Sequence, residues 1–161
     1  MVHEVDMFTT FAAITGAAVP TDRAIDGVDQ SEFLLGKTER SAREFVPIFY
    51  GTDLYAAKWR NWKTHFVWRE QMNDPPVTLG VPRTFNLLVT PRERADESLN
   101  TTITHGWVLH AMMAYVSAFQ TSLRNCPPVP VGTADPYAAP KPPPEGCRVP
   151  VKRPAEDAES Y

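Results

Sequence analysis

At 161 residues and 18.0 kDa, the chain is long enough to bury about 70% of the surface its unfolded form exposes, so a real hydrophobic core is attainable. With 43% hydrophobic residues, 22% charged residues and a net charge of -3, it is globular in composition and has no bulk attraction for nucleic acid or anionic lipid. No stretch reaches the ~18–20 apolar residues of a membrane helix, and Met1–Asp6 lacks the pattern of a signal peptide. Neither a nucleic-acid nor a membrane partner is expected.

The N-terminal segment 4–15 reads as a helix, with Val5, Phe8, Phe11 and Ala12 at the spacing of one apolar face and Gly16 as its stop. Residues 17–44 are rich in turn formers. Asp26-Gly27 signals a turn because glycine reaches positive φ freely. Phe33-Leu34-Leu35 before Gly36 reads as a short buried turn or helix end, and Lys37 to Arg43 as a polar, exposed loop.

The hydrophobic period then changes to two. Phe45–Tyr50, Leu54–Trp59 and Trp62–Trp68 form three strands joined by turns at Gly51–Asp53 and Arg60-Asn61, an antiparallel meander. Pro47 places the first at an edge or a strand start. In the third, Trp62, Thr64, Phe66 and Trp68 are expected on one face, with Lys63, His65 and Val67 on the other. A loop from Asn73 to about Pro82 leads to a fourth strand at 84–88, and Thr90–Arg94 is a turn into polar sequence.

Thr104 to Leu123 is the strongest helix, N-capped by Thr104. Its stripe is Val108, Met112, Tyr115, Val116, Phe119 and Leu123, widened by Leu109 and Met113. Cys126-Pro127-Pro128 ends it. Ten of the sixteen prolines follow Asn125, so the compact unit is about 1–125 and the rest is an extended proline-rich tail. Cys126 and Cys147 could pair, which would staple only that tail, and no paired Cys/His spacing indicates a structural zinc site. The fold class is α+β: a small four-stranded antiparallel sheet on one long C-terminal helix, with a leading helix.

The chemistry-bearing residues are sparse. There is no G-x-S-x-G elbow, P-loop or G-x-G-x-x-G. His3, His65, His105 and His110 have no i, i+4 partner among themselves, so no metal residues are assigned. His65 reads as a solvated strand residue beside Lys63, and His105 as a polar residue opening the long helix at a cleft edge. Lys58-Trp59-Arg60-Asn61-Trp62-Lys63 resembles a basic-aromatic patch, but in a hairpin the tryptophans turn to the core while the charges ring the turn. Met112 and Met113 read as core filler. The supply of Trp59, Trp62, Phe66, Trp68 and Trp107 exceeds what one helix hides, and an exposed apolar patch docks onto something. A helix at once from the N-terminus, with no strand before it, points the same way.

Four segments in order resemble the C-terminal end of the sulfatase family, arylsulfatases in particular. Val5-Asp6-Met7-Phe8-Thr9-Thr10 with Gly16 following is similar to a D-x-x-P-T…G helix, with Thr9 where proline is usual. Ile25-Asp26-Gly27-Val28-Asp29 through Phe33-Leu34-Leu35-Gly36 resembles a D-G-x-D-x-x-x-x-L-x-G segment. Leu54–Trp59 through Trp62-Lys63-Thr64-His65-Phe66 is similar to an A-V-R…W-K hairpin. Phe85-Asn86-Leu87 through Pro91-Arg92-Glu93 resembles L-Y-N-L-x-x-D-P-x-E, with Thr90 in place of aspartate.

The resemblance implies a two-part enzyme that hydrolyses sulfate esters. A large α/β domain carries a formylglycine, made from C-x-P-x-R or S-x-P-x-R, and a calcium ion; a smaller subdomain of four strands and a long helix packs on it. Neither motif occurs in this chain, since Cys126 is followed by Pro127-Pro128-Val129-Pro130 and Cys147 by Arg148-Val149-Pro150. No catalytic or metal residue carries over, and substrate-binding residues are left unassigned. The reading divides the chain into 1–44, the edge of a missing large domain; 45–125, the C-terminal subdomain; and 126–161, the tail. The expected partner is the missing domain, and the chain alone is expected to be inactive. The competing reading is a free-standing interaction module using the aromatic sheet face or the proline-rich tail.

Overall fold

A computed structural model describes residues 1–21 and 24–127. The proline-rich tail beyond Pro127, with Cys147 and any role of that segment as a partner site, lies outside the described residues; Cys126 is disulfide-bonded. The chain divides into two units: Met1–Arg43 with the segment from Ser117 on, and Glu44–Val116.

The first unit begins with α1 (Asp6–Thr15), which ends where Gly16 enters the left-handed region at φ 73°. The Ala17 amide donates to the Ala12 carbonyl at 2.9 Å, closing the helix in the manner expected of a glycine stop. A single turn, α2 (Ser31–Leu34), ends before Gly36 at φ 72°. The helix-end reading of this segment holds, but the buried one does not, because Leu34 and Leu35 are exposed.

The centre of this unit is charged. Asp6 and Arg43 are both buried, and their ion pair closes at 2.6 Å. The Asp6 carboxylate also accepts from the Arg43 Nε and from the amides of His3 and Val28, at 2.9–3.0 Å. Arg43 donates in addition to the Asp26 carbonyl at 2.6 Å. The expected exposed loop at 37–43 therefore ends in a buried residue: a carboxylate taken out of water requires a cation, and Arg43 supplies it. Next to it, the Thr10 hydroxyl donates to the Asp6 carbonyl and accepts the Gln30 amide, while the Gln30 Oε1 accepts from Ser41 and the Ala42 amide.

Gly27 serves this centre in an unexpected way. Its φ is not positive; what it provides is room. A Cβ there would stand 2.3 Å from the Val5 carbonyl oxygen and 3.0 Å from the Thr9 hydroxyl, so the segment lies against α1 more closely than any side chain permits.

The second unit is an antiparallel meander, β1 (Phe45–Tyr50), β2 (Asp53–Trp59), β3 (Trp62–Trp68) and β4 (Val77–Asn86), in the order β1-β2-β3-β4. β1 is an edge, where Pro47 is tolerated. β4 is longer than expected and begins inside the segment read as a loop. Register breaks occur between Ile48 and Phe49 and between His65 and Val67. The second break interrupts the alternation of β3. Trp68 does not share the face of Trp62 and Thr64; its ring lies 5.1 Å from His65 and 5.9 Å from Phe85.

A helix that the sequence reading passed over as polar, α3 (Ala95–Thr104), runs beside β4. The Thr102 hydroxyl accepts the Thr84 amide at 3.0 Å and donates to the Pro82 carbonyl, covering a strand edge that would otherwise be open. Thr104 is the last residue of α3 and not an N-cap: its hydroxyl turns back to the Asn100 carbonyl at 2.7 Å. The long helix α4 (Gly106–Asn125) follows after His105.

α4 buries Val108, Ala111, Met112, Tyr115, Val116, Phe119 and Ser122, while Met113 and Leu123 stay exposed. The expected stripe is thus present but leans toward Ala111. Within the sheet unit, Tyr115 stacks on Phe45 at 5.0 Å, and Trp59 meets Tyr115 and Trp107. The Tyr115 hydroxyl donates to Glu44 at 3.1 Å. Burial, then the neighbouring Glu44 carboxylate, push the Tyr115 phenol up to about 12. The α+β class and the sheet-on-helix arrangement stand as expected.

Candidate functional site

The hairpin tip between β2 and β3 behaves as a structural corner. Trp59 is buried, Arg60 adopts φ 52° with its guanidinium 5.1 Å over the Trp59 ring, and it pairs with Glu44 at 3.0 Å. Lys58 donates to the Arg60 carbonyl. Tryptophans inward and charges around the turn is the arrangement expected of Lys58–Lys63. Nearby, His105 caps the end of α3; its ring lies 4.9 Å from Trp62, and its Nδ1 is 2.8 Å from the Thr104 hydroxyl. It joins two helices rather than opening the second.

On the sheet face carrying Lys63, His65 and Phe85, a groove of about 810 Å³ is lined by aromatic and charged side chains. Its floor is tied together by Glu93. The turn after β4 is built by Asn86 and Thr90: the Thr90 amide and hydroxyl both donate to the Asn86 carbonyl, at 2.8 and 3.1 Å. Thr90 thereby closes this turn with its own amide and hydroxyl. Glu93 then adopts φ 51°, a left-handed conformation that a non-glycine residue holds only when its surroundings repay the strain. Here its carboxylate takes Lys63 Nζ at 2.9 Å and His65 Nε2 at 2.5 Å. Burial pushes the Glu93 carboxyl up, but the bonds from His65 and Lys63 outweigh it and hold the group below its ordinary range.

His65 is therefore not the solvated residue expected from its strand position; the turn carrying Glu93 folds over it. One wall of the groove is Tyr50 and Tyr55, rings 5.4 Å apart, with the Arg69 guanidinium 4.4 Å over Tyr50. Arg83 lies 4.5 Å over Trp68. Arg69 Nε and Arg83 Nη1 are buried without a hydrogen-bond partner. The lining offers stacking faces and guanidinium donors; among the described residues it contains no serine, threonine or cysteine that His65 could activate. Among the described residues, no three His, Cys, Asp or Glu side chains are placed to hold a metal ion, and no helix is long and apolar enough to cross a membrane.

The four motif segments converge in pairs. Asp6 and Thr10 of the first hold Val28 and Gln30 in or beside the second; Lys63 and His65 of the third hold Glu93 of the fourth. What the sequence reading missed is the cation at the centre of the first pair. The available signal was Asp6 itself, an acid at the start of an otherwise apolar helix.

In sequence and in fold the chain is similar to a portion of known sulfatases. The chain is 31% identical to the steryl-sulfatase of Rattus norvegicus, matching over 76% of its own residues and 25% of the rat protein's. It is 37% identical to arylsulfatase D of Homo sapiens over 44% of this chain and 12% of the human one. Among solved structures, the PsFucS1 sulfatase from Pseudoalteromonas sp. superposes with a TM-score of 0.66 at 25% identity, covering 79% of this chain and 27% of that one. No protein-family model matches the sequence. The chain spans a quarter or less of the length of these curated relatives.

Proposed function

We propose that this chain is the C-terminal portion of an arylsulfatase-like sulfuric ester hydrolase, and that it does not hydrolyse sulfate esters by itself. The observation that carries this reading is the asymmetry of coverage: most of this chain corresponds to about a quarter of the rat steryl-sulfatase. In support, the sequence has no C-x-P-x-R or S-x-P-x-R from which a formylglycine is made. Calcium and formylglycine are the groups the family resemblance implies, and the residues described here do not fit either: carboxylates and imidazoles do not cluster as a cation site. The partner is a large α/β domain that supplies both. In this reading residues 1–44 form the edge of that domain, 45–125 the subdomain packed on it, and 126–161 a tail.

The test is direct. The purified chain, incubated with 4-methylumbelliferyl sulfate and calcium, is expected to release no product above the uncatalysed background. Turnover at an enzyme-like ~1 s⁻¹ or faster would overturn the reading.

A further inference from the structure

Helix α1 is inside out. A helix at a protein surface turns its apolar stripe to the core and its polar face to water. In α1 the buried residues are Asp6, Thr9, Thr10 and Ala12, while Phe8, Phe11 and Ile14 are 54%, 59% and 49% exposed. At about 100° per residue the three exposed side chains span an arc of roughly 120° and form one ridge. Of the expected apolar face, Ala12 is buried while Val5, Phe8 and Phe11 point to solvent, and the reason is electrostatic. Rotating α1 to bury Phe8 and Phe11 would pull the Asp6 carboxylate off Arg43, Val28 and His3 and leave a buried charge unpaired, at a cost of about 3–5 kcal/mol.

The ridge is uncharged as well as apolar. In a chain with 22% charged residues, none lies between Met7 and Thr21. Transient interfaces and free surfaces carry charge; the buried cores of permanent interfaces are depleted of it. The same unit also exposes Leu34 and Leu35, at 48% and 58%. Three quarters of the length of the rat relative has no counterpart in this chain, which is ample for a domain with its own core.

We propose that the Phe8–Phe11–Ile14 ridge is a permanent seam, covered by the apolar flank of the large domain. This rests on the reading of the chain as a portion of a larger hydrolase, and it specifies which surface joins the two parts. The outward rings are then core residues of the assembled protein, and the Asp6–Arg43 pair fixes the angle at which α1 presents them.

A double substitution, Phe8→Gln with Phe11→Gln, separates the possibilities because its sign depends on context. It is made in the full 161-residue chain, and in a chimera in which this chain replaces the matched portion of the Pseudoalteromonas sulfatase. In the isolated chain, the unfolding midpoint is expected to stay within about 2 °C, and the fluorescence of a hydrophobic dye to fall about two-fold or more. In the chimera, the midpoint is expected to drop by about 5 °C or more, as for loss of two buried rings. Equal shifts in both contexts overturn the proposal, as does a chimera that is insoluble with either sequence. A wild-type chain that is a dimer and becomes monomeric on substitution assigns the ridge to a second copy and also overturns it. Phe45→Ala, in the core of the sheet unit, serves as control and lowers the midpoint in both. Hydrolysis of 4-methylumbelliferyl sulfate by the chimera reads the parent activity separately. An inactive chimera with ridge-dependent stability leaves the seam standing without the hydrolase, and an active one without that dependence does the reverse.

Discussion

The two units bury opposite things. The unit containing α1 hides a carboxylate, a guanidinium and two threonine hydroxyls and presents phenylalanines to solvent. The sheet unit hides Phe45, Trp59, Phe85, Tyr115 and Met112, and its ion pairs Arg60–Glu44 and Lys63–Glu93 stay partly exposed. Apolar burial is non-directional and tolerates small displacements; a buried ion pair is stable only while every hydrogen bond around it is in place. The sheet unit therefore has a core of its own, whereas the α1 unit has a set of connections. Lys63 and Glu93 brace a sheet, whereas Asp6 and Gly27 set the attitude of a helix whose other side is apolar and exposed.

This contrast is open to attack, most severely at Asp6. Asp6→Ala leaves Arg43 buried without its anion and is expected to cost about 3–5 kcal/mol. Hydrogen exchange over 3–43 reports the loss. All four tryptophans (Trp59, Trp62, Trp68 and Trp107) lie in the sheet unit, so their emission reads that unit alone. An unchanged tryptophan midpoint confirms two regions of separate stability; an equal fall in both makes them one cooperative unit. Gly27→Ala comes next, at about 2–3 kcal/mol, since the added methyl meets the Val5 backbone oxygen and not a side chain that can swing away. Should it be tolerated without loss of exchange protection in α1, the close approach is not a constraint.

Titration sharpens the same contrast from both ends. Burial raises the Asp6 carboxyl, but bonds from Arg43, Val28 and His3 overcome that and hold it below its ordinary 3.8. A group depressed in the folded state adds stability above its unfolded value and loses it as pH falls through the folded one. Asp6 and Glu93 both behave this way, so protection is expected to fade below about pH 4. Tyr115 has the opposite sign: raised from 10.0 to about 12, its contribution is whole below pH 10 and disappears as pH rises through 12. Alkaline unfolding is thus expected first in tryptophan emission, and a first loss in 3–43 would contradict the assignment. The smallest effect belongs to Glu93→Gln, about 1 kcal/mol, because its ion pair is only partly buried. Loss of the charge while keeping the amide should preserve the turn and raise salt-insensitivity of the unfolding midpoint.

Much of the sheet unit was legible in the chain. The two-residue period, the turns at Gly51 and Arg60-Asn61, and the stripe from Val108 to Phe119 follow from rules that act over a few neighbours. Those rules failed where a distant residue intervened. The register between β3 and β4 breaks across Phe66, and Trp68 meets His65 and Phe85; the polar sequence of α3 carries no apolar period, and its Thr102 bonds to β4 through the Thr84 amide. Strand position alone predicts a solvated His65, since nothing local announces that Glu93, 28 residues on, folds over it.

Local composition alone determined that this polypeptide would make an antiparallel meander and a long amphipathic helix, because side-chain periodicity is set by backbone geometry. The tertiary structure decided which side of α1 faces inward. Hydrophobicity favoured Phe8 and Phe11; the buried carboxylate of Asp6 favoured its own side and prevailed, since a charge deprived of both water and partner costs more than an aromatic ring left wet.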